Sequence, residues 1–80
     1  MEYNEDKVDE LLLALMFLTT FPNGKNLGTS TWKEYDWHHL DRLHEKGYIS
    51  NPKSKNKTVR LSEEAIVLSK ELFKKHFGIL

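Results

Sequence analysis

The segment Leu40 to Leu61, LDRLHEKGYISNPKSKNKTVRL, constrains this chain more than any other stretch. Leu40, Leu43 and His44 keep helical spacing, and Gly47 ends that spacing as a C-terminal stop. Tyr48 and Ile49 begin a strand that Asn51-Pro52 closes. Residues 52–57 are a polar, lysine-rich loop, Thr58 to Leu61 return as a second strand, and Ser62 fits the N-cap of a new helix. Helix, hairpin and helix in this order make the class α+β.

With 80 residues there is room for one domain, spanning 1–80, around one modest core. Asn4 fits a helix cap, with Glu5 and Asp6 in the first turn where the helix dipole favours negative charge. Val8, Leu11, Leu12, Leu15, Leu18 and Thr19 follow helical spacing, and Leu13, Ala14, Met16 and Phe17 fill the other faces. A helix apolar nearly all round is buried on several sides, so it is expected to be central or covered by a second subunit, as in a homodimer. Pro22 stops it, and residues 23–31 read as a loop with Leu27 as apolar anchor and a short strand near it. Thr31 to Glu34 has capping-box spacing and predicts a single helical turn, with Trp32 and Tyr35 packed inward. Asp36 caps a helix over 37–46 whose inward face is Trp37, Leu40, Leu43 and His44. In the last helix Ala65, Leu68, Ser69, Leu72, Phe73 and His76 line one side, and Gly78 ends it.

Charge is balanced in total and uneven in place. Twelve basic residues match twelve acidic ones, a balance that weighs mildly against a dedicated nucleic-acid binder. Yet Glu2, Glu5, Asp6, Asp9 and Glu10 crowd the start, while Lys53, Lys55, Lys57 and Arg60 share a stretch with no acid in it. There is no cysteine, which removes disulfides and thiolate metal sites and fits a cytoplasmic protein. The apolar run Leu11 to Leu18 is too short to span a bilayer and follows an acidic flank, so no membrane association is expected.

LDRLHEKGYI, the basic hairpin and LSEEA together resemble the recognition helix, wing and following helix of winged-helix regulators of the multiple-antibiotic-resistance-repressor type, over residues 36–65. EYNEDKVDELLLAL, WKEYDWHHLDRLHEKGYIS and the terminal LSEEA…LFKKHFG resemble, over nearly the whole chain, a family of small uncharacterised bacterial proteins, a domain of unknown function. The two resemblances imply a small winged-helix-like domain ordered helix-loop-helix-β-hairpin-helix, and the second implies no activity. Between residues 21 and 35 the regulators place a positioning helix. This chain has a glycine-containing loop there, so its helix-turn-helix is abbreviated.

Set on that pattern, His38, Arg42 and Lys46 are nearest a DNA groove, and Lys53, Lys55, Lys57 and Arg60 meet phosphates. Asp41 and Glu45 share the outward face of the second helix and oppose insertion near phosphates. The wing is therefore the better nucleic-acid candidate; its bland alternative is a solubilising loop whose lysines discourage edge-to-edge pairing. His38, Asp41 and Glu45 project from one side of that helix, but such residues meet on helices by chance, and no metal or other cofactor is expected. No cysteine nucleophile, glycine-rich phosphate cradle or strained serine elbow appears, so a non-catalytic protein is expected. Two functions follow as expectations. One is a module that binds duplex DNA through its wing. The other is a protein-interaction or dimerisation module that uses its first and last helices.

Overall fold

Each helix begins where a short polar side chain holds free backbone N–H groups. Asn4 Oδ1 accepts from Lys7 N at 3.0 Å, Asp36 Oδ2 from His39 N at 3.2 Å, and Ser62 Oγ from Ala65 N at 3.1 Å. The computed structural model describes residues 1–79. Its order is α1 (Glu5–Leu18), β1 (Phe21–Pro22), β2 (Thr29–Trp32), α2 (Trp37–Glu45), β3 (Thr58–Leu61) and α3 (Glu63–Phe77). The architecture is α+β and compatible with a small winged-helix-like domain.

Helix α1 ends before Pro22 is reached. The hydroxyls of Thr19 and Thr20 donate back to the carbonyls of Met16 (3.3 Å) and Phe17 (2.9 Å), closing its last turn. The Thr19 hydroxyl also lies 2.6 Å from that of Thr31, which ties the helix end to β2. The strands form an antiparallel sheet ordered β1-β2-β3, with Phe21 opposite Ser30, Ser30 opposite Arg60, and Thr31 opposite Val59. On the far side of β3, Ile49 bridges Leu61, Ser50 N donates to Arg60 O, and Ser62 N donates to Tyr48 O. The hairpin expected from Tyr48 onward is thus a short bridge.

Residues 29–32 correct two expectations. The strand expected around Leu27 lies just after it, and the helical turn expected from Thr31 to Glu34 is absent because Thr31 and Trp32 already belong to β2. Thr29, Thr31 and Trp32 suit a pleated strand, and cross-strand partners on β3 outweigh the local capping-box spacing. Leu27 sits in a turn (Leu27 N to Gly24 O, 3.2 Å) and is 60% exposed, so it anchors nothing.

The core joins Leu13, Ala14 and Met16 of α1, Leu40 and Leu43 of α2, Ile49, Val59 and Leu61 from the sheet side, and Ala65 and Leu72 of α3. Tyr35 packs against it as expected, and Tyr48 does so too. The tryptophans do not: Trp32 is 47% and Trp37 55% exposed. Trp32 pairs with Thr58 on the sheet face turned away from Val59, and Trp37 opens α2 with the Lys33 ammonium 5.9 Å from its ring centre. His44, expected inward, is exposed, although its Nδ1 donates to the Ile49 carbonyl at 2.9 Å. Nor is α1 buried on every side, since Leu18 is 64% exposed. No helix among the described residues is long and apolar enough to cross a membrane.

Candidate nucleic-acid interface

Two sets of positive side chains bear on the site, one neutralised inside the fold and one left free. The first lies between α1 and α2. Asp9 is buried, and its carboxylate accepts from His39 Nδ1 (2.5 Å), Arg42 Nε (2.7 Å) and Lys46 Nζ (2.9 Å). Arg42 also donates to Glu5 (3.0 Å) and Asp6 (2.7 Å), and His38 Nε2 donates to Glu5 at 2.6 Å. Because a carboxylate only accepts, His39 Nδ1 carries a hydrogen, and in the neutral ring Nε2 accepts from the Tyr3 hydroxyl at 3.0 Å.

Burial pushes the Asp9 carboxyl up, but hydrogen bonds from His39, Lys46 and Arg42 outweigh it and hold the group below its ordinary value of 3.8. The same hydrogen bonds to Asp9 raise the Arg42 guanidinium and the Lys46 ammonium. The hydrogen bond from His38 lowers Glu5 in the same way.

The second group stands on the loop between Ile49 and β3. Asn51 Oδ1 accepts from Lys53 N at 2.9 Å, and Pro52 is buried, so the loop starts as a fixed turn. Lys33, from the end of β2, secures it from beneath: its Nζ donates to the carbonyls of Pro52 (2.8 Å) and Ser54 (2.6 Å), and its N–H to Lys57 O (3.2 Å). Lys53, Lys55 and Lys57 are exposed, and their side-chain nitrogens meet no acceptor among the described residues. Arg60 is exposed and equally unpaired, and it lies across Gly28, where an added Cβ would come within 2.5 Å of Arg60 Nε. Gly28 also holds φ +84°, a conformation L side chains rarely adopt, and that is what favours glycine at this position.

The seven residues singled out from the sequence therefore fall in two places. Lys53, Lys55, Lys57 and Arg60 are together on the wing side. His38, Arg42 and Lys46, read as nearest a groove, face the carboxylates of α1, which leaves Asp41 and Glu45 on the solvent side of α2. Lys33 and Gly28 had not been singled out, and the sequence carries no local sign of either role. The α1–α2 cluster did leave one. His38, Arg42 and Lys46 recur every fourth residue, and Glu5, Asp6 and Asp9 form a matching acidic row on α1.

A protein printed as "Uncharacterized protein y4hR" from Sinorhizobium fredii (strain NBRC 101917 / NGR234) is 42% identical over 77 residues, covering 96% of this chain and 97% of that relative. No solved structure matches the chain. Residues 4–79 match the family described as "Domain of unknown function (DUF6429)", and the chain belongs to that family.

Proposed function

We propose that this protein is a non-catalytic binding module that grips the phosphate backbone of nucleic acid with its wing, while α2 serves as an internal strut. One observation carries this reading: the cations of α2 are spent on α1, whereas Lys53, Lys55, Lys57 and Arg60 are exposed and unpaired. Cations in that state release counterions when they meet phosphates, so affinity becomes steeply salt-dependent and insensitive to base sequence. Fluorescence anisotropy on labelled duplex DNA should show log K falling against log salt with a slope of about −3 to −4, roughly one unit per wing cation engaged. Replacing Lys53, Lys55 and Lys57 together with glutamine should flatten that slope by about 3. No binding at low salt, where non-specific contacts are strongest, removes the reading.

A second reading rests on a different surface. Val8, Leu11, Leu15 and Leu18 recur at helical spacing on the side of α1 away from the core, and Leu15 and Leu18 are 40% and 64% exposed. An apolar stripe of this kind favours self-association. Sedimentation velocity should then show a dimer that Leu15→Glu with Leu18→Glu converts to monomer. A wild-type monomer at high micromolar concentration excludes it.

A further inference from the structure

Strand register sorts the sheet into two faces. Val59 and Leu61 belong to the core, so their cross-strand partners Thr31 and Thr29 share the helix-facing side. Phe21, Ser30 and Arg60 form one row across the three strands on the opposite side, and Trp32 with Thr58 forms the next. The Phe21 and Trp32 rings lie 5.8 Å apart at 43°, tilted instead of stacked, with Trp32 close to half exposed. Beside Trp32 opens a recess of about 430 Å³, lined by Thr19, Trp32, Glu34 and Tyr35.

The charges around this face point to one kind of occupant. Arg60 is unpaired on the first row, and the exposed wing lysines follow beyond Thr58, at the end of the second. Glu34 is the carboxylate in the recess and keeps phosphate away from it, which leaves the Arg60 side for a backbone. Aromatic rings beside unpaired cations suit unstacked bases and their phosphates, whereas a duplex hides its base faces inside the stack.

We propose that the outer face of this sheet is a stacking platform for single-stranded nucleic acid, with a base on Trp32 and the phosphates on Arg60 and the wing lysines. The inference rests on the wing reading and narrows it from nucleic acid in general to an unpaired strand.

The test uses the full chain carrying Trp37→Phe, which leaves Trp32 as its one tryptophan. At low salt this protein is titrated with a thymidine oligomer of about 12 nucleotides and with a duplex of the same length. The expected result is quenching of Trp32 emission by the single strand and preference for it over the duplex. Trp32→Ala should weaken single-strand binding roughly 5- to 100-fold, the span of one base–aromatic stack, and leave duplex binding within about twofold. Duplex binding with no Trp32 quenching and no effect of Trp32→Ala overturns the platform and leaves the wing reading intact. Failure of both ligands to bind overturns both. Single-strand quenching untouched by glutamine at Lys53, Lys55 and Lys57 supports the platform and overturns the wing's part in it. Should Trp32→Ala lose its circular-dichroism signature of folding, the emission of Trp32 in the Trp37→Phe protein decides the matter alone.

Discussion

Removing the carboxylate of Asp9 takes the buried acceptor from His39, Arg42 and Lys46, while Arg42 keeps Glu5 and Asp6 and Lys46 keeps Asp6. The two cations reach solvent, so the main loss is the buried His39 donor left without its acceptor, which costs about 1–3 kcal/mol. Asp9→Ala should therefore lower the melting temperature by roughly 4–8 °C for each of those kcal/mol, as read by calorimetry. The pH dependence has a definite sign. The folded carboxyl of Asp9 titrates below its ordinary value of 3.8, so as acid is added the unfolded chain takes up a proton that the fold resists. Its stabilisation is complete at neutral pH and declines as pH falls through about 4 and below. Asp9→Asn should flatten that acid limb in denaturant titrations, and an unchanged limb would assign acid unfolding to other carboxylates.

At the scale of elements, what the sequence made legible is what local chemistry decides. Asn4, Asp36 and Ser62 cap their helices as read, and Gly47 holds φ +81° where α2 stops. The inward row of α3 was equally readable, since Ala65, Ser69 and Leu72 are buried. Less legible was the direction of α2. Its face with His38, Arg42 and Lys46 is visible in the periodicity, but only the packing of α1 beside it turns that face inward. Trp37 misled for a related reason, because a residue in the first turn has no preceding turn to set its side against the core. The wing shows the same limit: its lysines were evident, and the side chain that holds it in place, Lys33, comes from just after β2. Lys33→Ala removes the donor to Pro52 and Ser54 carbonyls and should cost about 1 kcal/mol. Hydrogen exchange should show faster amide exchange confined to residues 51–57, with β2 and β3 unchanged.

Over the whole molecule, a net charge of zero conceals two regions that respond differently to salt. Asp9 and His39 at the centre of the first cluster are buried, so added ions screen it only in part, while the exposed wing cations feel the full effect. Raising salt from about 0.05 to 0.5 M should abolish polyanion binding yet move the melting temperature by only a few degrees. Loss of fold and binding in parallel would place the two charge sets in one cooperative unit. The sheet has a further consequence for what can dock. One margin is the two-residue β1, where Pro22 has no N–H to offer; the other is occupied by the backbone of residues 48–50 alongside β3. Among the described residues neither margin presents a long row of vacant amides and carbonyls, so an extended peptide or a second copy finds only a short edge to join as an extra strand.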